Sequence, residues 1–153
     1  MIRINILAVG KLKEKYWVDA YAEYAKRISR YAKLTLVEIP ECNDTNGIAT
    51  QLFKESQLIL DKLTGFSILT DKDGDIINDE EFAKIFLSLP THGTSDLTFL
   101  VGGPRGCHPD IKARVNKTIS FGRLTFPHRL ARIMLIEQIY RALSVNSGSP
   151  YHK

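Results

Sequence analysis

Leu97-Thr98-Phe99-Leu100-Val101 runs straight into Gly102-Gly103-Pro104-Arg105-Gly106, and Pro109-Asp110 then has the form of a first helical turn. A short, almost wholly apolar run closed by glycines and followed by a helix predicts a strand buried on both faces, the kind found in parallel sheets. Working outward, the same unit recurs. Residues 66–70 form an apolar run behind Gly65, residues 71–75 read as a turn, and Asn78 or Asp79 caps a helix over about 79–88. On the other side, the short segment 119–121 reads as a weak strand, and Pro127 opens a long helix over about 128–144. At the N-terminus, Ile2, Ile4 and Ile6 alternate with Arg3 and Asn5 until Gly10. A helix over about 13–31 follows, with Tyr16, Trp17, Tyr21, Tyr24, Ile28 and Tyr31 at helical spacing. A strand over 34–39 ends at Pro40, and a helix over 48–63 turns Leu52, Leu58, Ile59 and Leu63 inward. Strand and helix alternate throughout, which predicts an α/β fold with a largely parallel sheet and helices on both faces.

The 153 residues make one domain, spanning 1–153, with no linker, repeat or low-complexity segment. No apolar stretch approaches the ~20 residues of a membrane span, and the alternating N-terminus is unlike the apolar block of a signal peptide. Cys42 and Cys107 give neither a metal-cluster spacing nor a disulfide framework. The acidic run Asp71, Asp73, Asp75 is not a calcium loop, because Ile76 and Phe82 stand where an EF-hand needs glycine and glutamate. These features predict a soluble cytoplasmic protein with no membrane contact and no metal site. Charge is segregated along the chain. Residues 1–40 carry 8 Lys/Arg against 4 Asp/Glu, residues 41–101 carry 4 against 11, and residues 102–153 carry 9 against 2. Two basic ends around an acidic middle point to an anionic partner, either nucleic acid or phosphate metabolites.

Ligands of parallel sheets sit beyond the carboxyl ends of the strands, and three segments there are chemically unusual. The loop 102–106 carries three glycines, which allow a close backbone approach, although neither a dinucleotide fingerprint nor a phosphate loop is present. Gly122-Arg123-Leu124-Thr125-Phe126-Pro127 offers backbone and apolar groups suited to a flat neutral moiety such as an adenine. Leu69-Thr70-Asp71 ends the middle strand and by itself is an ordinary turn. The last helix is apolar nearly all round, so it must be covered on several sides, one of which could face a second protomer. Glu137 and Arg141 lie at i,i+4 and can pair with each other, while Arg132 reads as a solvated surface arginine or a ligand-facing one. His128 begins the helix beside the second loop, and the chain closes on Pro150-Tyr151-His152-Lys153.

The run from Ser120 to His128, continued by Arg132, Glu137-Gln138 and Tyr140-Arg141-Ala142, closely resembles the ribosomal large-subunit pseudouridine N3-methyltransferases, the RlmH type of the SPOUT class. So do the opening stretch from Ile6 to Trp17, the Gly102-Gly103…Gly106 loop and the Tyr151-His152 tail. The resemblance covers the whole chain. It implies a C-terminal deep trefoil knot, a homodimer built on the last helix, and S-adenosyl-L-methionine held by Thr70, Gly103, Gly122, Arg123, Leu124, Thr125, Phe126 and Pro127. The implied reaction methylates N3 of a pseudouridine in the helix 69 loop of 23S rRNA on the ribosome. His128 or His152 would stand near the N3 proton, Tyr151 would stack on or bond the base, and Arg132 and Arg141 would hold phosphates or the developing anion. The chain departs from the usual pattern at Thr70, commonly leucine, and at Arg105, commonly glutamate or asparagine. Two alternatives stand beside this reading. One is a non-catalytic ribosome-binding assembly factor, the other a small enzyme acting on a phosphorylated metabolite.

Overall fold

The computed structural model describes residues 1–42 and 46–149. Among these residues, five parallel strands form one sheet in the order β2-β1-β4-β3-β5: β1 is Ile2–Val9, β2 Ala32–Ile39, β3 Phe66–Ile76, β4 Asp96–Val101 and β5 Lys117–Ser120. Helices α1 (Lys15–Ile28), α2 (Ile48–Leu60), α3 (Asp79–Leu87), α4 (Pro109–Arg114) and α5 (His128–Asn146) connect and cover them, with a short 3-10 turn at Leu89–His92. The alternation expected of β1 is visible in its packing. Ile4, Ile6 and Ala8 enter the core beneath α1, α3 and α5, whereas Leu7 and Val9 enter the one beneath α2 and α4. The α/β sheet with helices on both faces therefore stands as expected.

Two boundaries differ in an instructive way. Residues 71–75 are not a turn that ends the strand. The strand β3 continues to Ile76, and both Thr70 and Asp75 pair with Ile119, so the backbone between them bulges. The bulge is tied down locally: Arg123 donates to the carbonyls of Lys72 and Gly74, and Ser120 Oγ donates to Lys72 O at 3.0 Å. Gly74 lies so close to β5 that a β-carbon there would sit 2.8 Å from the backbone of Thr118 and Ile119. Gly74→Ala is expected to lower stability by about 1–3 kcal/mol through overpacking, read as a lower urea midpoint at unchanged slope. The capping of α3 resolves in favour of Asn78, whose side chain accepts from Glu81 N while the Glu81 carboxylate accepts from Asn78 N.

Candidate functional site

β1, β4 and β3 run parallel and side by side, so the loops leaving their carboxyl ends converge. Beside the loop that leaves β4 lies a cavity of about 690 Å³, within the ~300–1,000 Å³ typical of small-molecule sites. Its wall is made by Thr70 and the bulge that follows, by the glycine loop 102–106, and by the segment running from Phe121 into the first turn of α5. The three segments singled out in the sequence thus meet in one place.

The local chemistry explains the shape. Gly103 presses against β1, where a β-carbon would lie 2.9 Å from Val9 Cγ1, and Gly103 O accepts from Gly106 N at 3.0 Å to close the loop. Gly122 has φ +134°, a conformation side chains rarely adopt, and its N–H donates to Ser120 Oγ. Thr70 turns its hydroxyl back onto Leu100 O at 3.0 Å, leaving its backbone at the cavity. Cys107 also lines the cavity, and burial pushes its thiol up to about 11, so it is a neutral apolar wall at physiological pH. Leu124, Thr125, Phe126 and Pro127 all line the space.

Arg123 does not: its side chain is engaged by the β3 bulge, where it braces the segment it belongs to.

His128, the first residue of α5, lines the cavity beside the backbone of Gly10, from which a β-carbon would lie 3.7 Å from Nε2. Desolvation, and then the Arg129 charge, hold its pKa below the usual imidazole value. It is therefore a neutral imidazole at pH 7 and can accept a proton.

Arg132 requires a correction. It neither solvates at the surface nor reaches a phosphate, because it is completely buried. One nitrogen of the Arg132 guanidinium donates to Glu38 Oε2 at 2.6 Å and another to Gly10 O at 2.9 Å. The same carboxylate oxygen of Glu38 accepts from Leu12 N at 3.0 Å. Arg132 thus fastens the start of α5 to the β1–α1 loop. Glu38 is the residue that sequence reasoning missed. Its signal was a lone carboxylate breaking the apolar run of β2 one residue before its end.

Arg141 donates to Glu137 at 2.7 Å. At 1.5 Å per residue it stands roughly 20 Å along α5 from His128, so one chain does not bring the two together. Tyr151 and His152 lie outside the described residues.

A family described as "Predicted SPOUT methyltransferase" matches residues 2–152. The chain belongs to the SPOUT methyltransferase family. Proteins named Ribosomal RNA large subunit methyltransferase H are similar to this SPOUT chain over their full length. That of Lactobacillus acidophilus is 46% identical, that of Lactobacillus helveticus 45% and that of Streptococcus sanguinis 42%, each covering 99% of this chain and 100% of the relative. Among solved structures, a probable methylase family protein from Haemophilus influenzae Rd KW20 is similar in fold with a TM-score of 0.50 at 11% identity. That likeness covers 95% of this SPOUT chain and 66% of the other.

Proposed function

We propose that this SPOUT protein methylates N3 of a pseudouridine in the helix 69 loop of 23S rRNA, on assembled ribosomes in the cytoplasm, with S-adenosyl-L-methionine as donor. The observation that carries the proposal is the meeting of three sequence-distant segments, 70–72, 102–107 and 121–128, around one backbone-rich cavity in a chain whose full-length relatives bear a large-subunit rRNA methyltransferase name.

The cavity fits the cofactor's chemistry. Glycine-rich backbone can approach a polar tail closely, and Leu124, Phe126 and Pro127 suit the faces of a flat neutral ring. When bound, S-adenosyl-L-methionine supplies a sulfonium methyl group for in-line displacement. The residues assigned to hold it are Thr70, Gly103, Gly122, Leu124, Thr125, Phe126 and Pro127. The protein's other task is the imide proton, since N3 is a poor nucleophile while protonated. Neutral His128 is assigned that proton, with His152 of the tail as the other candidate and Tyr151 against the base.

A homodimer belongs to the same proposal. A second groove of about 400 Å³ runs along α5, lined by Ile133, Met134, Glu137 and Gln138 together with Tyr24 and Phe82. It supports pairing of two copies through the last helix, which would offer a route for the distant Arg141 to serve the partner's cavity. The C-terminal trefoil knot is likewise part of this reading, supported by family membership.

The deciding experiment uses methyl-labelled S-adenosyl-L-methionine and ribosomes lacking this methyl group, beside ribosomes that also lack the pseudouridine. Label only on the pseudouridylated ribosomes, mapped to N3, is the expected result. Cofactor binding without label on either would point to another RNA target, and absence of cofactor binding would overturn the enzyme reading. Gly103→Ala is expected to weaken cofactor binding about tenfold or more, equivalent to about 1.4 kcal/mol. Val9 sits in the core of the sheet and cannot retreat, so the loop must move toward the cavity. Isothermal calorimetry of the folded variant checks this.

A further inference from the structure

The loop between β1 and α1 is fixed from below by the buried charge of Arg132. Leu12 is 8% exposed and inserts into the core, its N–H bonds Glu38, and Gly10 O is bonded by Arg132. A buried guanidinium is unfavourable unless its partners are well placed, and apolar packing alone would serve to join a strand to a helix. This anchor holds rigid what lies on the outer side. Lys11 and Lys13 flank Leu12, are both exposed, and have no ion-pair partner among the described residues. One turn on, Tyr16 is 64% exposed, its ring 5.0 Å from that of Trp17. A large aromatic ring left in water beside two ammonium groups without such partners suits a single-stranded nucleic acid, in which phosphates meet the lysines and an unpaired base stacks on the ring. The loop also lies against the first turn of α5, whose His128 lines the cavity. Gly10 lies against His128, and Glu14 faces Arg129 of α5 at 3.8 Å.

We propose that Lys11, Lys13 and Tyr16 form an RNA-binding rim of the cavity, the lysines contacting phosphates next to the target nucleotide and Tyr16 stacking an unpaired base of the same loop. The inference rests on RNA being the substrate, as argued above. The lysines supply affinity that salt screens, while Tyr16 supplies affinity that salt leaves largely intact.

The test measures binding to ribosomes lacking the methyl group across a salt series, for the full-length protein, Lys11→Gln/Lys13→Gln and Tyr16→Ala. The double variant is expected to lower the slope of log affinity against log salt by about 1.4, at about 0.7 per phosphate contact on a single strand. Tyr16→Ala is expected to weaken binding roughly tenfold at unchanged slope. Thermal midpoint and cofactor affinity, measured on the same samples, should hold in both, which separates a lost contact from a misfolded loop. Unchanged affinity and slope in folded variants would overturn the rim while leaving the methyltransferase reading in place. A loss of dimer mass in Tyr16→Ala with intact ribosome binding would also overturn it, by assigning that ring to a protein contact. Wild-type protein that binds cofactor but not ribosomes would overturn both proposals together.

Discussion

Glu38→Ala will destabilise the protein by about 3–5 kcal/mol, the range for stripping the partner from a buried charge, and will do so more severely than Arg132→Met. The asymmetry follows from where each side chain ends. The side chain of Arg132 is 1% exposed and that of Glu38 is 30% exposed. Without Glu38, the guanidinium remains in the core with Gly10 O as its remaining hydrogen-bond partner. Leu12 N loses its acceptor in the same stroke. Without Arg132, by contrast, the carboxylate can turn toward water, and the loss is that of hydrogen bonds to a charged group, about 1.5–3 kcal/mol. Glu38→Leu combined with Arg132→Met should recover much of the loss, because well-packed apolar groups often replace a buried pair with little penalty. Equilibrium urea unfolding at constant slope measures all three. If Arg132→Met proved the costlier single change, buried charge would not be what governs this corner of the fold, and the shape of the arginine stem would be.

That corner also marks where the sequence stops being legible. Strands were readable because burial on alternate faces leaves a period-two trace, as in Ile4 and Ile6 against Leu7 and Val9. The cavity segments were readable for a related reason: glycines clustered at strand ends record backbone approach, and Gly103 against Val9 is such an approach. A pairing across 94 residues leaves no local trace, so the sequence alone names no partner for Arg132 and leaves it either solvated or ligand-facing. The bulge after Thr70 was hidden for the same reason. Asp-Lys-Asp-Gly-Asp has turn composition, and partners distant in sequence hold the segment in the sheet: Arg123 and Ser120 bond Lys72 O, and Asp75 pairs with Ile119 of β5. Arg123 belongs to the loop that lines the cavity, yet its side chain turns to the bulge instead of the cavity. Side-chain direction in a loop depends on tertiary partners, which a single sequence does not display.

Substituting His128 by glutamine will slow methyl transfer by about 10²–10⁴-fold, the usual contribution of a positioned base, while leaving cofactor affinity within a few-fold of wild type. The sign of the pH dependence follows from the surroundings of the imidazole. Desolvation foremost, then the Arg129 charge and to a smaller extent that of Arg132, disfavours imidazolium; Glu41 and Glu14 oppose this without reversing it, so the folded pKa lies below the reference 6.5. The wild-type rate should therefore rise with pH along an acid limb centred below 6.5 and run level through neutrality, where the base form is already complete. Arg129→Gln removes a charge that depresses the pKa, so its acid limb should move toward neutral pH. Stability carries the same signature. A histidine with a depressed folded pKa favours the native state fully above the unfolded value, and that contribution is lost as pH falls through the folded one. If water or hydroxide takes the imide proton instead, the rate will go on climbing above pH 7 and His128→Gln will be indistinguishable from wild type. Running His152→Gln in parallel separates the two imidazoles. The one whose removal abolishes the acid limb, rather than merely lowering the plateau, is the group that titrates in the free enzyme and takes the proton.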